Sequence, residues 1–295
     1  MQSFHAITTS IWLRITSGLF MFLLLGCSHA SQVTVEQLSV AEREVSVWHW
    51  QPATPATGVI IFSHGAASAP LKYTALIDEW VAAGYEVLAP LHVDSTDHPN
   101  MEQYKGMASW TARLQDMQII ADSYGQQGYV AAGHSYGALI ALVKGGATGI
   151  VTPGLTAPLA DSRVSAVLAF SPPGAIPGFV SRDNYATLAV PALIQTGTKD
   201  VPPGTNLSWE GHLDAYSAVA SGGDRYALIL DDVDHYFGGA ICRPELPGPK
   251  QHAQLDQAVE YSLLMLRAYA NRNVSAKQQL THKLGKTKFA DLQYK

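Results

Sequence analysis

Six short, mainly apolar runs punctuate the chain: GVIIF from residue 58, YEVLAP from 85, YVAAG from 129, VSAVLAF from 164, PALIQTG from 191 and YALIL from 226. Near-continuous runs of this length read as strands buried on both faces, since a half-exposed strand alternates polar and apolar residues. Between them lie segments with helical spacing. TALIDEWVAAG closes on Gly84, GMASWTARLQDMQIIADSYGQQG places Met107, Trp110, Leu114, Met117 and Ile120 on one face, and QLDQAVEYSLLMLRAYA forms a long amphipathic stretch near the C-terminus. Strands alternating with helices need crossover connections, which predicts an α/β fold: a mostly parallel central sheet with helices on both faces. Upstream, VTVEQLSV and EVSVWHWQP do alternate, and they predict an antiparallel edge.

Composition agrees with one large domain. The 295 residues are 47% hydrophobic and 15% charged, enough apolar mass for a substantial core and too little charge for a disordered chain. A net charge of −5 leaves no basic footprint for nucleic acid; the only basic-leaning segment is the last twenty residues or so, read as a solvated helix or frayed end.

In a parallel sheet, ligands bind beyond the carboxyl ends of the strands, so the residues at those ends carry the chemistry. The most telling is Ser135, in GYVAAGHSYGALIALVKGG. It lies between Gly133 and Gly137, where a short buried strand meets a helix of small and apolar residues. A serine projected from such a turn has a strained backbone, and the two glycines remove Cβ atoms where strand and helix come close. The alternative is that Ser135 only caps the helix.

Three further strand ends complete a set: SHGAA at 63 to 67, Asp200 after PALIQTGTK, and His235 after YALILDDVD. Serine is a weak nucleophile unless a near-neutral base removes its proton, and a histidine base needs an acceptor to fix its tautomer. Ser135, His235 and Asp200 supply those three roles. Asp231, Asp232 and Asp234 crowd the same histidine and compete for the acid's place, while Asp94 and Asp97 follow another strand. His92 and His98, with those two aspartates in HVDSTDHP, match no tight metal-ligand spacing, so no metal is expected there. Trp209, Tyr236 and Phe237 stand beside the acid and base in sequence, and either line a pocket or pack beneath loops.

Taken together, FSHG, GYEVLAP, GHSYG and the order Ser, Asp, His resemble the α/β-hydrolase superfamily over roughly residues 58 to 270. The likeness is greatest to the branch holding chlorophyllase-like, platelet-activating-factor-acetylhydrolase-like and dienelactone-hydrolase-like esterases. Dienelactone hydrolases carry a cysteine where Ser135 stands, and related polyester hydrolases a disulfide that this chain cannot make. The resemblance implies the α/β-hydrolase fold, Asp200 as the acid, and an oxyanion hole from the backbone N–H groups of Ala66 and Tyr136. It also implies a structural role for His64 and no cofactor. The connection from 171 to 190 is about the length of an ordinary loop, so no large cap domain is expected.

The N-terminus has its own signature. ITSGLFMFLLLGC, residues 15 to 27, follows Arg14 and is too short to span a bilayer, the shape of an export signal. LLGC resembles a bacterial lipoprotein signal, which makes Cys27 the lipidated residue; the competing reading is cleavage after Ala30 and plain secretion. Cys242 then has no intramolecular partner and reads as a small buried hydrophobe.

The expected organisation is an export signal over 1–26, a linker with edge strands over 27–57, a catalytic domain over 58–272 and a tail over 273–295. The expected function is an exported serine hydrolase acting on a small-molecule carboxylic ester through an acyl-enzyme, touching membrane only through its lipid anchor. Amide or peptide cleavage by the same triad is one alternative, and a hydrolase-fold lipoprotein that binds without turnover is another. Nothing in the chain speaks to oligomeric state.

Overall fold

The structure is a computed structural model that describes Met1 and residues 32–176, 180–201 and 208–295. Its strands are β1 (Gln32–Val40), β2 (Arg43–Gln51), β3 (Gly58–Ser63), β4 (Tyr85–Pro90), β5 (Tyr129–His134), β6 (Val164–Phe170), β7 (Ala192–Lys199), β8 (Arg225–Asp234), β9 (Gly285–Lys286) and β10 (Ala290–Tyr294). The helices are α1 (Thr74–Ala82), α2 (Trp110–Tyr124), α3 (Tyr136–Lys144), α4 (Arg182–Tyr185), α5 (Asp214–Ala218), α6 (His252–Met265) and α7 (Val274–His282). All ten strands form one sheet in the order β1-β2-β4-β3-β5-β6-β7-β8-β10-β9. From β4 to β8 every neighbouring pair is parallel. Both ends are antiparallel, where β1 and β2 flank β4 and where β10 and β9 flank β8.

Each of the six apolar runs became a parallel strand with a core on both sides. In β3, Ile60 and Phe62 pack with α1 and α6, while Ile61 points to the opposite layer with α2 and α3. β5 alternates in the same way, Val130 and Ala132 against Ala131. A fully buried aliphatic side chain contributes about 1.5–3 kcal/mol, so two-faced burial of every central strand fixes the order of the sheet firmly.

Local departures from the sequence reading have simple causes. The helix expected to begin at Gly106 opens as a 3₁₀ turn, Gly106–Ser109, and turns α-helical only at Trp110. The C-terminal amphipathic helix ends in a π-turn, Leu266–Ala270. The tail is a larger correction. Only α7 fits the expected solvated helix; beyond it β10 pairs along β8 and buries Ala290 and Leu292. The period-two pattern in ADLQY is masked by neighbouring lysines, and β8 would otherwise be an open edge. A boundary at 272 therefore does not detach the tail from the sheet. The connection after β6 holds only the four residues of α4 as helix among the described residues.

Candidate active site

At the carboxyl end of β5 the chain reverses into α3 through Ser135, whose φ of 54° and ψ of −120° place a non-glycine residue in strained left-handed space. Its flanking glycines are there for contact distance. A Cβ on Gly133 would lie 2.3 Å from the Gly137 carbonyl oxygen, and one on Gly137 would lie 1.9 Å from that of Ser63. Neither position admits a side chain, so strand β5, helix α3 and the end of β3 are locked together with Ser135 at the junction.

Ser135 shares a cavity of about 440 Å³ with Gly65, Ala66, His212, His235, Tyr236 and Arg243, among others. Ala66 and Tyr136 thus lie next to the serine, one in the cavity wall and one as the first residue of α3. Tyr236 also lines the cavity, whereas Phe237 is fully buried in the core. Trp209 starts the short 3₁₀ turn that delivers Gly211 and His212 to the wall. Cys242 lines it too, buried as expected, and is a free thiol.

His235 Nδ1 lies 2.6 Å from Asp200 Oδ1, so the carboxylate that reaches this histidine is that of Asp200. The rival aspartates are engaged elsewhere. Asp234 accepts from the backbone N–H groups of Tyr236 and Gly238, Asp232 pairs with Lys199 in solvent, and Asp231 accepts from Thr198. Asp94 pairs with Arg113, His92 bridges Ser63 and Asp116, and Asp97 and His98 stay within their own loop.

Four side chains converge on Asp200, which has no exposed surface. Ser171 and Thr196 donate hydroxyls to Oδ2 at 2.5 and 2.9 Å. His212 brings Nε2 to 2.9 Å from Oδ1, close but poorly aligned for a hydrogen bond, while its Nδ1 donates to the Pro172 carbonyl. Burial pushes the Asp200 carboxyl up, but its contacts with His212 and His235 outweigh that and hold it well below the usual carboxylate range. Burial also works against a charge on His212, and the carboxylate overrides it, raising that imidazole above its ordinary value. Asp200, His212 and His235 offer three atoms to a metal. Both nitrogens, however, stand at hydrogen-bond distance from the oxygen, closer than the roughly 3.3 Å between ligands on a tetrahedral zinc of normal bond length.

With Nδ1–H directed at Asp200, His235 keeps a lone pair on Nε2, which is buried and has no hydrogen-bond partner among the described residues. Burial lowers the pKa to about 4, against the Asp200 hydrogen bond, and the neighbouring His134 pushes the same way. The imidazole is therefore neutral across the physiological range. A second network positions it. The Gly65 N–H donates to the Tyr73 hydroxyl at 2.9 Å, Tyr73 reaches His134 Nδ1 at 2.9 Å, and His134 Nε2 donates to the His235 carbonyl at 2.9 Å. His64 bonds loop backbone on both sides, Nδ1–H to Gly65 O and Nε2 from the His92 N–H.

Sequence reading missed His212, Ser171, Thr196 and Tyr73. Ser171 directly follows β6, so the strand-end rule could have flagged it; the other three carry no local signal.

The fold is that of the α/β hydrolases. No protein-family model matches the chain, and no curated protein matches it. Solved structures do. Esterase 2 of Thermogutta terrifontis is 14% identical with a TM-score of 0.59 over 80% of this chain and 91% of that one. A putative dienelactone hydrolase from Klebsiella pneumoniae is 13% identical with a TM-score of 0.59, covering 82% and 100%. An alpha-beta serine hydrolase homologue from Coxiella burnetii is 16% identical with a TM-score of 0.54, covering 77% and 94%.

Proposed function

We propose that the protein is a serine hydrolase that cleaves carboxylic esters, with Ser135 as nucleophile, His235 as base and Asp200 as the acid that orients it. What supports this most is one arrangement: a neutral imidazole, tied through Nδ1 to a buried carboxylate and with no hydrogen-bond partner at Nε2 among the described residues, lines the same cavity as a serine on a strained turn. Nε2 takes the Ser135 proton as Oγ attacks the ester carbonyl, and the N–H groups of Ala66 and Tyr136 receive the developing oxyanion. Collapse breaks the ester bond, and His235 returns the proton to the departing alcohol. Water repeats the cycle on the acyl-enzyme and releases the acid. Asp200 stays ionised throughout. That esterase 2 of Thermogutta terrifontis shares this fold agrees with the chemistry.

Beside His212, His235, Tyr236 and Arg243, much of the cavity wall is small residues, among them Gly65, Ala66, Ala67, Gly174 and Ala175, and the connection after β6 holds only the four-residue helix α4 among the described residues. Short, soluble acyl esters suit such a site. The test is a fluorophosphonate label together with a 4-nitrophenyl ester series. Label on Ser135, lost in Ser135→Ala, and fastest turnover at acyl chains of about two to six carbons are expected from a cavity at the small end of ligand pockets. A folded protein that neither labels nor turns over any ester would remove the proposal.

Export belongs to the same reading. The signal and Cys27 lie outside the described residues, and no helix among those described is long and apolar enough to cross a membrane. We infer a lipid anchor on Cys27 in the bacterial envelope; metabolic labelling with palmitate, lost in Cys27→Ser, tests it, and a mature N-terminus at Ser31 would replace it with plain secretion.

A further inference from the structure

Arg113, on α2, is a guanidinium with no exposed surface. All five of its N–H donors are used. Nε and Nη2 meet the two oxygens of Asp94 at 2.8 and 2.9 Å. Nη1 reaches the Ser63 hydroxyl at 3.2 Å and the His64 carbonyl at 2.7 Å, and Nη2 reaches the Gly65 carbonyl at 3.2 Å. The face of the guanidinium lies over the ring of Tyr136, 4.5 Å from its centroid.

Two of these contacts bear on the proposed oxyanion donors: the Gly65 carbonyl, which shares a peptide with the Ala66 N–H, and the ring of Tyr136. The Gly65 carbonyl and the Ala66 N–H belong to one planar trans peptide, in which the two groups point in opposite directions. Holding that carbonyl toward the interior turns the Ala66 N–H outward, on the side of the cavity that Ala66 lines with Ser135. His64 Nδ1–H, at 2.8 Å, and the Ser68 N–H, at 3.3 Å, grip the same carbonyl. Tyr136, the other donor residue, is met by the guanidinium over its ring and by the nearly parallel ring of Trp110, 6.5 Å away between centroids. A buried ion pair gains little stability over an apolar pair of the same volume, so stability alone is a weak reason for placing Arg113 and Asp94 here.

We propose that Arg113, braced by Asp94, is a positioning residue for the oxyanion hole: it sets the Gly65–Ala66 peptide and the Tyr136 end of α3 so that both N–H groups face the carbonyl oxygen of the substrate. This rests on the esterase reading above. Donors placed in advance act on the transition state and barely on the ground state, so their loss lowers kcat and leaves KM alone.

The experiment compares wild type with Arg113→Lys and with the double variant Arg113→Met, Asp94→Leu, which removes both charges and leaves none unpaired. Folding is checked by circular dichroism. With 4-nitrophenyl butyrate, the double variant should lose about 100-fold in kcat, the scale of one mispositioned oxyanion donor, with KM within about threefold. Arg113→Lys, which keeps the charge but not the fork, should fall between. Phenylboronic acid, whose tetrahedral adduct with Ser135 places an oxygen in the hole, should bind more weakly in step with the loss in kcat/KM. Active, folded variants with kcat near wild type, or a loss of kcat with unchanged boronate affinity, would overturn the positioning role while leaving the esterase standing. Should the double variant not fold, the lysine variant decides on the same two readouts. A wild-type protein without Ser135-dependent ester hydrolysis would overturn the reading beneath it and this proposal together.

Discussion

His49 and His235 both sit against carboxylates, and their surroundings push their pKa values in opposite directions. His49, on β2, lies 2.8 Å from Glu36 on β1 and 2.5 Å from Glu86 on β4, one carboxylate at each ring nitrogen. Burial opposes a charge there, but the bonds to Glu86 and then Glu36 outweigh it and raise the pKa. His235 has its hydrogen bond to Asp200 at one nitrogen only, and there burial wins, bringing the pKa down to about 4. A carboxylate neighbour alone does not decide whether a histidine is charged. How many nitrogens it satisfies, and what other cations press nearby, do. The first histidine is a clasp across the first three strands of the sheet order, β1, β2 and β4; the second is free to accept a proton.

The contrast breaks most sharply in activity. Ser135→Ala and His235→Ala should each lower kcat by about 10⁴–10⁶, and the double variant by little more, because the groups act as a unit. Asp200→Asn should cost about 10⁴ through the wrong tautomer. By comparison His49→Gln, and Asp234→Asn in its turn-capping role, should leave kcat within about threefold, as expected of groups with no part in the transition state. Steady-state assays on the six purified variants check this order. A severe Asp234→Asn beside a mild Asp200→Asn would reassign the acid.

A smaller effect sharpens the comparison in pH. Since the base must be neutral, kcat/KM should hold well below pH 6 and fall only toward His235's pKa of about 4. Brief assays, with circular dichroism in parallel to exclude unfolding, would read the limb. A midpoint near the ordinary histidine value would mean that the site is wetter than its geometry implies.

The smallest effect is on stability, and its sign differs between the two histidines. For His49 the folded pKa is raised, so its contribution is complete below the ordinary value of 6.5 and is lost as pH rises through the folded value. For His235, His134, His64 and His92 the folded pKa is lowered, so their contribution is present above 6.5 and is lost as pH falls toward the folded values. His49→Gln should therefore destabilise by about 2 kcal/mol near pH 6, the scale of a charged hydrogen-bond pair. The difference should shrink in alkali. Urea denaturation of both proteins at three pH values measures it, and a constant difference across the range would refute the charged clasp.

Much of this was legible before any coordinates. The six apolar runs predicted the parallel core because the sheet is covered on both faces, which leaves a signature within each strand. Ser135 was legible because strain and glycine spacing are local. The chain end was not: ADLQY has too few residues for its alternation to stand out from the surrounding lysines, and only pairing with β8 fixes it as a strand. Among three aspartates near His235 in sequence and one 35 residues away, spacing alone could not choose and the family resemblance named Asp200; in the fold β7 lies beside β8, the Asp200 carboxylate meets His235, and Asp234 caps its own turn.

By itself, then, the order of residues determined the α/β architecture, the strand ends where chemistry gathers and the serine on its turn, because each depends on periodicity or on contacts a few residues apart. Tertiary structure alone decided what surrounds those groups: His212 and Ser171 against Asp200, Tyr73 linking the loop to His134, and Arg113 behind both expected oxyanion donors. These partners come from separate strands, helices and loops, and a buried polar group takes whichever donor the packing brings within hydrogen-bond reach, a distance that no sequence pattern records.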